Sequence, residues 1–184
     1  MVDIAHILRE SRIRAASQHF PPFVGPEQES TPLNATPYIA HLSEAGTEGF
    51  LSNREGFIEQ LRVGLARLAA LSARPVAALL GGSALDAKPD PSDLDCVVFY
   101  EADEAHPPSG SALLELQRAL KRRRLDIRFV PIDGDPLLLI KIVSYFTILY
   151  SKSRESLSIK RGLVLLDCRE PGIGNDHDKS DLSL

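Results

Sequence analysis

The chain has 184 residues, of which 43% are hydrophobic and 25% charged, and a net charge of -4; these values suit one folded domain with a real core and exclude a fibrous repeat or a wholly disordered chain. The acidic balance excludes sequence-independent coating of nucleic acid, which needs a basic surface, and leaves room only for a local basic patch. Nowhere does the chain hold the roughly 18 uninterrupted apolar residues of a membrane span, so the expectation is a cytoplasmic protein with no membrane partner.

In chain order, Ile4, Ile7, Leu8 and Ile13 repeat with helical spacing and predict a short amphipathic helix over 3–17. Pro21, Pro22, Pro26, Pro32 and Pro37 then exclude helix and predict an extended connector over the surface. Residues 1–37 thus read as a helix plus proline-rich arm, 38–168 as the domain proper and 169–184 as a disordered polar tail. Ser52 followed by Glu55 has the spacing of a capping box. Phe57, Leu61, Leu65, Leu68 and Ala69 share one face behind it, which predicts a helix over 53–73 ended by Pro75.

Apolar runs over 75–80, 94–100 and 125–132 predict three strands. A helix over 110–123 lies between the second and third and ends in Lys121, Arg122, Arg123 and Arg124. Those cations suit a helix C-terminus, and equally suit attraction of polyphosphate or nucleic acid. Asp135 as N-cap and Pro136 at the first position start a helix over 136–150 that is apolar on nearly every side. Residues 158–167 read as a last strand or a hairpin around Arg161-Gly162. The alternation predicts an α/β (α+β) fold, a mixed sheet of three to five strands flanked by helices.

The chemistry concentrates in LLGGSALDAKPDPSDLDCVVFY, residues 79–100. A Walker loop fails because Ala87 and Pro89 stand where a Gly and a hydroxyl are needed around Lys88. A dinucleotide fingerprint lacks its third glycine, and a calcium loop starting at Asp86 meets Lys88 at its second ligand position. What remains is Gly82-Ser83 after one strand and Asp93-Leu94-Asp95 opening the next. Alternation along a strand turns both carboxylates to one side with Leu94 on the other. Two adjacent carboxylates repel, and oxygen ligands at this density suit Mg²⁺ or Mn²⁺. Asp126, in RLDIRFVPI, offers a third carboxylate in mid-strand, where it is costly unless paired or metal-bound. Singly, each feature has a plainer explanation: a turn at Gly81–Ser83, a cap at Asp93, an ion pair of Asp126 with Arg124 or Arg128. Jointly, on three successive strands, they favour a metal site. Cys96 and Cys168 have no metal-ligand spacing, and the five histidines form no Ser-His-Asp or Cys-His grouping.

This arrangement resembles the polymerase-beta-like nucleotidyltransferase superfamily, over about residues 53–132. More narrowly, GGSALDAKPDPSDLD with FPPF at 20–23 and the late KRGLVLLD resembles small uncharacterised bacterial nucleotidyltransferase-like proteins. The resemblance implies a minimal nucleotidyltransferase fold, with Asp93, Asp95 and Asp126 holding two Mg²⁺ or Mn²⁺ ions. It implies transfer of NMP from a nucleoside triphosphate such as ATP to an acceptor hydroxyl of RNA, protein or a small metabolite. Gly82 and Ser83 would hold the β- and γ-phosphates. The small antitoxin-type members carry Arg and Gly soon after Gly-Ser, whereas this chain has Leu85-Asp86-Ala87-Lys88, so Lys88 or the 121–124 run would take over the triphosphate. The rival reading is a non-catalytic nucleotide-binding or interaction module of a toxin-antitoxin or defence-type complex, with helix 136–150 as an interface. The N-terminal helix and arm offer a way to wrap a second copy as a homo-oligomer.

Overall fold

The computed structural model describes residues 3–46, 51–153, 156–159 and 161–169. Within them lie four α-helices, α1 (Ile4–Ser17), α2 (Glu55–Ala69), α3 (Gly110–Lys121) and α4 (Pro136–Ser151). The strands are β1 (Tyr38–His41), β2 (Ala73–Gly81), β3 (Leu94–Ala102), β4 (Leu125–Pro131), β5 (Lys152–Ser153), β6 (Ser156–Ile159) and β7 (Val164–Asp167). Five strands form one mixed sheet in the order β1-β7-β2-β3-β4, and the expected α/β architecture is what the chain adopts. β2 runs antiparallel to β3 and β7, whereas β3–β4 and β1–β7 are parallel. The parallel β3–β4 pair needs a crossover, which α3 supplies.

Because successive strand side chains point to opposite faces, the sheet sorts its residues into two cores. Leu80, Leu94, Cys96, Leu125 and Ile127 join Ile58, Leu61 and Leu68 of α2 and Leu120 of α3 on one side. Leu79, Val97, Phe99 and Val130 meet Leu139, Ile142, Phe146 and Tyr150 of α4 on the other. α1 docks on β1 through Ala15, which is fully buried in the first core. Arg12 ties it further through a 2.7 Å ion pair to Glu44.

Several boundaries differ from the sequence reading. The capping box at Ser52 is replaced by a 3₁₀ turn over Ser52–Arg54, entered through Leu51 in the left-handed region (φ 64°). Leu51 is buried, so the core fixes the chain path and Arg54 becomes the residue preceding α2, with no side-chain cap. α2 stops at Ala69, well before Pro75: Ser72 at φ 60° turns the chain and Pro75 lies inside β2 next to a register shift, a position where its missing N–H is tolerated. β1 has no counterpart in the sequence reading, being only four residues long. The proline-rich arm is folded inward rather than extended over the surface. Phe20 and Val24 are buried, and Phe23 bridges to Ala35. Of the two readings of residues 158–167, the last strand is the one formed: β7 inserts between β1 and β2, while β6 pairs with β5 rather than folding back on β7 as a hairpin. The tail expected to be disordered lies, beyond residue 169, outside the described residues.

Candidate metal centre

Strand register builds the site. Gly81 of β2 lies across from Asp95 of β3, and Asp95 lies across from Asp126 of β4. Asp95 shares a sheet face with Val97, and Asp126 with Val130, which is the face covered by α4. Asp93, one step before β3, completes a group in which one carboxylate oxygen from each residue lies within 4.8 Å of the others, all three half-buried. The structure therefore brings together the three acids that the sequence singled out.

The surroundings set the charge balance. Arg128 Nη1 donates to Asp126 Oδ1 at 2.6 Å, and Lys121 Nζ stands 3.5 Å from Asp126 Oδ2. Of the two arginines considered for Asp126, Arg128 is the one that pairs with it. Ser92 Oγ donates to Asp93 Oδ1 at 2.8 Å. Gly82 sits at φ 70°, and a Cβ added there would overlap Asp95 Oδ2. Only glycine both adopts that backbone and leaves room for the carboxylate. Gly81 is equally constrained, since a Cβ would run into Tyr150 and Leu163. Ser83, half-buried, follows in a short 3₁₀ turn over Gly82–Leu85.

The loop from Asp86 to Ser92 is held by three arginines. Arg54, buried at 8% exposure, donates from Nε to Ala84 O at 3.0 Å and from Nη2 to Lys88 O at 2.5 Å, with longer bonds to the carbonyls of Asp86 and Pro89. Arg161 Nε donates to Asp86 Oδ2 at 3.0 Å. Arg124, at φ 66°, donates from Nε to Ser92 O at 2.7 Å, reaches Asp90 at 2.9 Å and also bonds Pro91 O. Lys88 is exposed, and its carbonyl is what the fold uses. The basic run is divided: Lys121 faces Asp126, Arg123 donates to Gln60 at 3.1 Å, and Arg123 and Arg124 line a cavity of about 330 Å³ with Arg54 and Phe57 beside the start of α2. Arg123 and Arg124 are thus committed away from the acids.

Beneath the site, burial pushes the Cys96 thiol well above its ordinary range, and the negative charges of Asp95 and Asp126 push it further. Tyr150 is raised by burial and then by Cys96 and Asp95. Both shifts register a negative field at this end of the sheet. Oxygen-only donors at short mutual range, with Asp95 seated against the bare backbone of Gly82, fit a small hard cation. Arg54, Arg161 and Tyr150 were not singled out from sequence. Arg54 had one faint signal, a cation at the start of a helix, where the dipole disfavours it unless something else holds it.

A model of a family of unknown function, DUF6932, matches residues 27–167. No curated protein and no solved structure matches the chain.

Proposed function

The chain belongs to DUF6932, a family of unknown function, and for it we propose metal-dependent nucleotidyl transfer on a polymerase-beta-like core, in the cytoplasm. The observation that carries this reading is the trio of carboxylate oxygens from Asp93, Asp95 and Asp126 within 4.8 Å of one another. Like charges at that range are stable together when a cation offsets them; Arg128 and Lys121 offset part of the charge at Asp126. Mg²⁺ or Mn²⁺, as a pair of ions held by the three aspartates, would neutralise developing charge on the phosphate oxygens.

The chain's own residues do the positioning. The main chain around Gly82 and the Ser83 hydroxyl receive the β- and γ-phosphates. Lys88, exposed on the neighbouring loop, meets the triphosphate from the rim. The acceptor hydroxyl oxygen attacks the α-phosphorus. A new O–P bond forms, the bond from the α-phosphorus to the bridging oxygen breaks, and pyrophosphate leaves with that electron pair. The hydroxyl proton passes to the Asp126 carboxylate and on to water. Most of the acceleration comes from alignment and charge neutralisation, without a covalent enzyme intermediate.

One observation favours a second reading. Asp126 already accepts from Arg128 at 2.6 Å with Lys121 at 3.5 Å, an arrangement suited to a module of a toxin-antitoxin or defence-type complex that binds nucleotide without turning it over. Transfer from α-³²P-labelled nucleotides to cell RNA and protein, in Mn²⁺, separates the two. Label incorporation lost in Asp93→Ala/Asp95→Ala supports the transferase. Nucleotide-dependent thermal stabilisation without incorporation supports the binding module, and neither effect refutes both.

A further inference from the structure

We propose that α4 is a self-complementary interface on which two copies of this chain associate antiparallel, an assembly that does not depend on the transferase reading. Most of the large apolar side chains exposed among the described residues belong to this helix, with Leu137 75%, Leu138 54%, Tyr145 59% and Leu149 47% exposed. One face of α4 is already occupied by the sheet through Leu139, Ile142, Phe146 and Tyr150. The outer surface is apolar too, and within α4 only Lys141 carries a charge.

Exposed Leu138, Tyr145 and Leu149, with Ile142 half-buried where this stripe borders the sheet, are spaced by four, three and four residues and fall within an arc of about 60° on the helix. This is the alternating three-four spacing by which two helices interlock. The stripe extends one step further at each end, to Asp135 three residues before Leu138 and Lys152 three residues after Leu149. Asp135 is exposed and caps the helix by accepting from Leu137 N–H at 2.8 Å, while Lys152 stands at the C-terminal cap.

These positions mirror one another about the middle of the helix. Laid antiparallel on a second copy, Leu138 meets Leu149 of the second copy and Ile142 meets Tyr145. At both ends Asp135 meets Lys152. Laid parallel, aspartate would meet aspartate and lysine would meet lysine, so charge selects the antiparallel pairing. Such a contact is isologous and closes on itself, which stops growth at two.

Sedimentation velocity on the full chain over a range of concentrations tests the proposal. The expected result is a reversible dimer, converted to monomer by Leu138→Glu/Leu149→Glu with the circular dichroism spectrum unchanged. Mixing a Leu138→Cys chain with a Leu149→Cys chain and oxidising should give an inter-chain disulfide that neither chain forms alone. This second readout does not require the glutamate variant to fold. A monomer at every concentration, a dimer that persists in the folded glutamate variant, or an inter-chain disulfide at the substituted position in either variant alone, with Cys96 and Cys168 replaced by serine in both, would overturn the proposal, as would capture of a different protein by a chain that stays monomeric.

Discussion

Replacing Arg54 by alanine tests how the loop from Asp86 to Ser92 is held. The guanidinium is 8% exposed and makes two close bonds, to Ala84 O at 3.0 Å and Lys88 O at 2.5 Å, plus longer ones to Asp86 O and Pro89 O. Hydrogen bonds to a charged donor contribute about 1.5–3 kcal/mol each. The two close ones therefore set the cost at about 3–6 kcal/mol, with water recovering part of what the longer ones lose at the exposed end of the loop. For a domain of this size about 2–4 °C of Tm accompanies each kcal/mol, so the variant should melt roughly 6–24 °C lower in calorimetry. Arg54→Lys keeps the charge but not the planar fork, and should recover less than half of the loss. Because Asp93 stands at the far end of that loop, Mn²⁺ affinity should fall in both variants. A loss below about 1 kcal/mol, or full recovery by lysine, would refute the idea that the fork organises the loop.

Gly82→Ala places a Cβ against Asp95 Oδ2 at a residue with φ 70°, where a side chain itself costs about 1–2 kcal/mol. Mn²⁺ affinity should drop about tenfold or more while the fold survives, as calorimetric titration and circular dichroism would report; unchanged affinity would show that Gly82 does not position the carboxylate. At Glu44, burial raises the carboxyl, but the His41 N–H and the Arg12 guanidinium outweigh it and hold it below its ordinary value. Its stabilising contribution is then complete above the unfolded value of about 4.3 and is lost as pH falls through the lower folded one. Glu44→Gln should flatten the acid side of the stability profile measured by urea unfolding; an unaltered profile contradicts the assignment. Burial and Asp167 push Cys168 up to about 12, and Cys96 is raised further by burial and its acidic neighbours. Both thiols should therefore resist iodoacetamide at pH 8 in the native protein and react once unfolded, and mass spectrometry showing rapid native labelling would count against that environment.

How far the sequence revealed this protein depends on the range of each interaction. Asp93, Asp95 and Asp126 were legible because the alternation that turns Asp93 and Asp95 to one side is local and because Asp126 interrupts an otherwise apolar and basic segment. Helix α4 was legible through Asp135-Pro136, a cap and a first-turn proline in adjacent positions. Arg54 was not legible: its partners lie 30 to 35 residues ahead, and Ser52 offered a better local cap that the buried Leu51 overrode. β1 escaped notice because a four-residue strand acquires its identity only from β7, more than 120 residues later. Arg128 was weighed from sequence as a partner for Asp126, but the pairing needed the register of β4 to settle it. The inward fold of the proline-rich arm depends likewise on Gly162, whose N–H donates to Phe20 O at 2.5 Å.

The central claim is that the three aspartates form a divalent-cation site, and calorimetric titration of Mn²⁺ into the purified full chain tests it most directly. The account predicts saturable binding that is weakened at least tenfold by Asp95→Asn and abolished by Asp93→Asn/Asp95→Asn/Asp126→Asn, with each variant still folded. Absence of Mn²⁺ binding in the native chain, or binding of equal strength in the folded triple variant, would contradict it.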